Sequence, residues 1–258
     1  VRENAVDSAE TEALRSEATA IAEGEALLRE AEFQDARPVW YSSNYVYLSQ
    51  MCGQAGEQFA AIYKPLKGEN PLWDFPDGCL YKREAAAYEL AKLLGWNFVP
   101  PTVVRDGPHG IGSLQLFIKH DPESHFFVQR EVPGFVPQLQ RMAVFDLIVN
   151  NADRKGGHCL LDEHGQIWGI DHGLCFHYQY KLRSVIWDWA GEAVPTNWLD
   201  ETFAAGKAIA GCAAAATPFL ALVGDAEVAA LLGRIEKLQQ DRRFPTPGAN
   251  RHYPWPLV

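Results

Sequence analysis

The chain has 258 residues, 47% of them hydrophobic, enough to bury one large core or two smaller ones. Its formal charge of -10 is concentrated at the start, where residues 1–36 hold ten Asp and Glu against three Arg, which argues against a nucleic-acid partner. No apolar run reaches bilayer length, and Cys52, Cys79, Cys159, Cys175 and Cys212 are odd in number with no close pair, so a soluble cytoplasmic protein in a reducing compartment is expected.

Residues 1–36 read as an acidic helical extension, with Leu14, Ile21, Leu27 and Leu28 at helical spacing and Gly24 as an interruption. Ser42, Ser43 and Asn44 then form a polar break between apolar runs, which by itself is an ordinary hairpin turn. "FAAIYKPL" is a short strand carrying Lys64 near its end, where an internal ammonium costs desolvation unless it meets an anion. "YKREAAAYELAKLLG" is a helix stopped by Gly95, and Glu84 in its first two turns is placed to reach back to Lys64. After "GSLQLFI", an amphipathic run from Met142 to Asn150 ends in Asn151, Asp153, Arg154 and Lys155. "HCLLDEHGQIWGI" reads as a hairpin whose second strand delivers Asp171, eighteen positions after Asp153. Beyond it, Trp187 and Trp189 pack an irregular segment, with Lys181 and Arg183 read as solvated charge. Two helices follow, "DETFAAGKAIAGCAAAA" and "PFLALVGDAEVAALLGRIEKLQQDRR". The proline- and aromatic-rich end, "FPTPGANRHYPWPLV", reads as a strap over the second half rather than a loose tail.

An Asp after a strand is by itself more often a turn residue than a ligand. Lys, Glu, Asp and Asp in this order, however, match phosphoryl transfer, in which one carboxylate orients a hydroxyl and the other holds a divalent cation on a phosphate. Two further readings stay open on the residues alone. His158, Cys159, His172, Cys175 and His177 could gather on zinc, although their spacing matches no common zinc motif. A metal-dependent phosphohydrolase could use Asp153, His158, Asp171 and His172, but it leaves Lys64 and Glu84 unexplained.

The segments "SSNYVYL", "AIYKP", "YKREAAAYELAKLLGWNFVPPTVV", "GSLQLFI", "NNADRKGGH" and "GIDHGLCF" resemble, in order, the core of phosphatidylinositol 3/4-kinase-like proteins across about residues 40–190. The likeness is to an uncharacterised actinobacterial kinase-like family and, more distantly, to the type II phosphatidylinositol 4-kinases. It implies a bilobal α+β kinase-like fold with a small β-rich N-lobe, a larger mostly helical C-lobe and a nucleotide cleft between them. The expected division is 1–36 extension, 37–118 N-lobe and hinge, and 119–258 C-lobe. The resemblance makes Lys64 the phosphate-binding lysine, Glu84 its helix partner, Asp153 the catalytic-loop aspartate and Asp171 the metal ligand. Ser42, Ser43 and Asn44 would cover the phosphates, while Gln115, Leu116, Phe117 and Ile118 would form the hinge meeting adenine.

Two positions depart from the family pattern. Asn44 replaces a glycine of the phosphate loop, and His158 replaces an asparagine expected to bind a second metal. Imidazole suits Mn²⁺ better than Mg²⁺. The implied activity is transfer of the ATP γ-phosphate, with Mg²⁺ or Mn²⁺, to a hydroxyl of a protein or soluble small molecule. A membrane lipid is not the expected acceptor, because the basic cluster that meets an anionic bilayer is absent. A nucleotide-binding pseudokinase acting on a protein partner is the alternative.

Overall fold

In a computed structural model of the chain, residues 23–39, 44–248 and 251–258 are described. The chain divides into two compact units, one formed by residues 1–68 and 101–117 and the other by 69–100 and 118–258. The expected 37–118 lobe is therefore cut. Its central part, including the Glu84 helix, groups with the C-terminal residues.

Unit 1 is an antiparallel sheet in the order β1-β2-β3-β5-β4, with strands Glu32–Pro38, Tyr47–Cys52, Gln58–Pro65, Gly110–Leu116 and Thr102–Gly107 respectively. Residues 23–30 are helical (α1), running through Gly24, and the rest of the expected acidic helix lies outside the described residues. The end of the expected extension is instead strand β1, which pairs with β2. Leu28, Ala31, Met51, Ala61, Tyr63, Val103 and Leu114 form the core. Arg105 secures α1 by donating to the carbonyls of Leu28 at 2.7 Å and Ala31 at 2.8 Å, capping groups that a helix end leaves without partners.

Alternation along β3 buries Ala61, Tyr63 and Pro65, so Lys64 belongs to the opposite face from that core. Lys64 pairs with Ser113, and a Cβ on the neighbouring Gly112 would fall 2.4 Å from the Lys64 carbonyl oxygen. Glycine is required there for two backbones to approach.

Unit 2 is mainly helical. Helix α2, Leu80–Leu94, stops at Gly95 in the left-handed conformation, as its sequence predicts. Its charged side chains explain why it groups here. Arg83 bonds Glu227 and the Cys175 carbonyl, and Glu84 accepts the His172 N–H at 3.0 Å. Short helix α3, Phe126–Gln129, and helix α4, Val136–Val149, precede a hairpin of β6, Cys159–Leu161, and β7, Ile167–Gly169. Helix α5, Thr196–Ala210, packs against α7, Asp225–Asp241, with the single turn α6, Thr217–Leu220, before it. The expected last helix is thus two, divided where Glu227 accepts the Gly224 N–H at 3.0 Å to start α7. Residues 251–258 lie on this unit as a strap.

Candidate active site

Asp146 stands in an apolar stretch of α4, "VFDLIV", and is 1% exposed. A carboxylate so placed needs a cation. Arg154, fully buried, supplies it through two parallel bonds, Nε to Oδ2 at 2.8 Å and an Nη to Oδ1 at 2.9 Å. Burial alone would lower the Arg154 pKa, but Asp146 holds it above the ordinary value. The same guanidinium donates to the Ile170 carbonyl at 2.9 Å and the His158 carbonyl at 3.3 Å, and meets His172 Nε2 at 2.8 Å. Because arginine only donates, His172 accepts at Nε2 and is neutral with its proton on Nδ1. One buried pair thereby fixes α4, both ends of the loop 150–158 and the segment leaving β7.

The backbone around this loop is also closed. Asn150 ends α4 in the left-handed conformation, φ 57°, while its amide donates to the carbonyls of His177 and Gln179 and accepts the Lys181 N–H. The Asn151 side chain accepts the Asp153 N–H at 2.9 Å and donates to Asp146. Arg154 exchanges backbone bonds with Arg183 and Val185.

The loop presents Asp153 beside Lys155, with Oδ2 and Nζ 3.2 Å apart and both side chains about three-quarters buried. Burial raises the Asp153 pKa, with Lys155 opposing, Asp171 adding to the rise and Arg183 opposing it. Asp171 sits just past β7 with φ 60°, a left-handed conformation that Asp tolerates better than most residues. Its Oδ2 is 3.3 Å from His158 Nε2. His158 Nδ1 accepts the Lys155 N–H at 3.4 Å, a tautomer that leaves Nε2–H to donate to Asp171.

Of the residues singled out from sequence, unit 2 thus brings together Glu84, Asp153, His158 and Asp171. Lys64 is in unit 1 on β3, and Asn44 is at a bend before β2. Ser42 and Ser43 lie outside the described residues. Gln115 and Leu116 end β5 and Phe117 follows it. Leu116 N–H donates to Pro101 O at 2.9 Å and Phe117 N–H to Ala60 O at 3.1 Å, while the Ile118 carbonyl meets His120 Nδ1 at 2.9 Å. Those two amide donors are therefore taken up within the sheet, and Gln115 points its amide at Thr102.

The zinc reading is not supported. Among the described residues no three of His, Cys, Asp and Glu are grouped to hold a metal. Burial pushes the Cys159 thiol to about 12 and Cys175 well above its ordinary range, the behaviour of thiols packed in a core. His172 is likewise withdrawn from the phosphohydrolase set by Arg154. A single carboxylate at Asp171 still fits Mg²⁺ or Mn²⁺, which bind through one or two carboxylates and substrate phosphates.

Asn150, Arg154 and Lys155 stand in the expected run and its end without an assigned role, and Asp146 within that run was not noted. The signal for Asp146 was available: an acid inside an apolar helix eight residues before an arginine.

The phosphatidylinositol 3- and 4-kinase family model matches residues 100–205, which span the loop, hairpin and Asp171. Protein Rv2133c of Mycobacterium tuberculosis is 40% identical over 228 residues, covering 76% of this chain and 81% of that protein. Phosphatidylinositol 4-kinase gamma 4 of Oryza sativa subsp. japonica is 28% identical over 173 residues, 53% of this chain, which spans only 30% of that kinase. A solved structure of hydra Fam20 with sugar superposes with a TM-score of 0.50 at 13% identity, over 84% of this chain and 86% of that one. The architecture is an α+β kinase-like fold, and with Rv2133c the chain belongs to the phosphatidylinositol 3/4-kinase-like family.

Proposed function

We propose that this protein is an atypical ATP-dependent phosphotransferase that moves the γ-phosphate to a hydroxyl of a polypeptide or soluble small molecule. The observation carrying this reading is the convergence of Asp153, its pKa raised by burial, with Lys155, Asp171 and His158 on one braced loop and hairpin. A carboxylate titrating above the ordinary range is a better proton acceptor near neutral pH.

In the proposed reaction the acceptor hydroxyl gives its proton to Asp153, its oxygen bonds the γ-phosphorus, and the bond from γ-phosphorus to the β–γ bridging oxygen breaks, releasing ADP. As Asp153 takes the proton its charge is lost, and the Lys155 ammonium turns toward the transferring phosphoryl oxygens. Asp171 would hold a Mg²⁺ or Mn²⁺ ion, whose contribution is to offset phosphate charge. Glu84 orients Asp171 through the adjoining His172 N–H. Lys64 retains the phosphate-binding role that the family resemblance assigns, and adenine would be met from Ile118 onward or through carbonyls. The five free thiols accord with a reducing cytoplasm.

One observation favours a second reading. The His158 ring already bridges Lys155 and Asp171, so the second-metal position is closed in this tautomer, as a nucleotide-binding pseudokinase would tolerate. Incubation of the pure protein with labelled ATP and Mg²⁺ or Mn²⁺, without acceptor, separates the cases. Self-labelling is expected; free phosphate alone indicates a hydrolase, and retained nucleotide binding without either product indicates a pseudokinase.

A further inference from the structure

The strap 251–258 is attached in an unusual way. His252 O accepts the Ser184 N–H at 3.0 Å and the Trp187 indole N–H at 3.2 Å, and Leu257 O accepts the Gly156 N–H at 2.7 Å. The His252 ring packs edge-on to Trp187, and Pro254 is buried. Its other large apolar side chains, Tyr253, Trp255, Leu257 and Val258, are exposed. A core element turns such residues inward. This one is held chiefly by its carbonyls, on donors that do not read side chains.

Those donors sit at the chemistry. Gly156 is three residues beyond Asp153 and next to Lys155, and Val185, beside Ser184, donates to the Arg154 carbonyl at 3.1 Å. Main-chain donors, here the Gly156 and Ser184 amides, beside an aromatic ring that also donates, here Trp187, recognise an extended polypeptide irrespective of most of its sequence. A segment with little buried apolar surface is also drawn from the low-stability end of a fold, where opening is easy.

We propose that the face formed by Gly156, Ser184 and Trp187 docks an extended polypeptide acceptor, and that residues 252–257 hold this place in the resting chain. The acceptor half of this inference rests on the phosphotransferase reading. Displacement of the strap then exposes donors beside Asp153 for a serine-, threonine- or tyrosine-bearing segment.

The test uses the full chain with a protease site inserted between Ala249 and Asn250, cut after folding, with the released piece removed by gel filtration. A fluorescein-labelled peptide of residues 251–258 should bind the cut protein saturably and the uncut protein not at all. Trp187→Phe in the cut protein should weaken that binding roughly fivefold, the weight of one neutral hydrogen bond. With labelled ATP, the cut protein should phosphorylate a mixed hydroxyl-peptide pool ~10-fold faster than the uncut one, since a tethered occupant competes at high effective concentration. Unlabelled 251–258 peptide should return the rate to the uncut level.

A cut protein that melts as the uncut one does but binds no peptide overturns the proposal. So does a measurable transfer rate in the uncut protein that is unchanged or slower after strap removal. Peptide binding with no transfer to any acceptor upholds the docking face and overturns the phosphotransferase reading. If cutting unfolds the chain, amide exchange on the uncut protein decides: Gly156 and Ser184 should open together well before global unfolding, and opening only with global unfolding sinks the idea.

Discussion

Asp146 and Arg154 are 1% and 0% exposed, and each neutralises a charge that the interior would otherwise reject. Removing only one is therefore worse than removing both. Asp146→Ala should cost about 3–5 kcal/mol in denaturant unfolding, because it strands a buried guanidinium, whereas Asp146→Leu combined with Arg154→Met should recover a large part of that loss. Asp153 has the opposite character. Burial raises its pKa, so the folded protein binds that proton more tightly than the unfolded chain does. Its contribution to stability is present below the unfolded value and is lost as pH rises through the raised folded value. Asp153→Asn removes this dependence. In metal-free buffer, the melting temperature of Asp153→Asn relative to wild type should climb between about pH 4 and 7, and in a separate assay with labelled ATP and Mg²⁺ or Mn²⁺ the variant should show no phosphoryl transfer. A variant uniformly less stable across that range would show that the carboxylate is not desolvated.

At the scale of elements, the legible parts were those governed by a repeating period or a stop signal. Gly95 ends α2 where expected, Lys64 falls near the end of β3, and "HCLLDEHGQIWGI" is the β6–β7 hairpin. What was not legible depends on contacts distant in sequence. The charged residues of α2 are drawn to Glu227, Cys175 and His172, which no local pattern around residue 84 announces. At the expected hinge, likewise, Leu116 and Phe117 look like a strand exit, and the carbonyls of Pro101 and Ala60, distant in sequence, take up their amides. Within the loop, the spacing of Asp153 and Asp171 and the acid in the apolar run of α4 were visible, but the bonds of Asn150 to His177, Gln179 and Lys181 reach far along the chain. The strap was read from its aromatic content, whereas its attachment is mostly by carbonyls.

For the molecule as a whole, composition anticipated free thiols, and burial sorts them. Cys159 and Cys175 are fully buried with raised pKa values, and Cys212 is exposed with φ 49°. Limited treatment of the native protein with iodoacetamide should modify Cys212 first and leave Cys159 and Cys175 unmodified until denaturant is added, as read by peptide mass. Early labelling of Cys159 would mean that the α4–β6 region opens without global unfolding. The order of six sequence segments was enough for the family, since a fold tolerates much substitution when core positions keep their pattern. That order does not say which segments pack together: residues 69–100 group with 118–258.

The bond from the His172 N–H to Glu84 has a consequence for switching. Helix α2, which through Glu84 latches the residue next to Asp171, the aspartate proposed to hold the metal, cannot rotate alone. Loss of α2 from its seat and loss of the Asp171 geometry become one cooperative event, so the chain would toggle between competent and incompetent states with no half-assembled intermediate. Glu84→Ala should accordingly speed amide exchange at His172 and Gly173 by about tenfold or more, the weight of a charge-assisted hydrogen bond, while exchange within β6 stays as in wild type. Unaltered exchange at both residues would show that the latch is not what keeps the two in step.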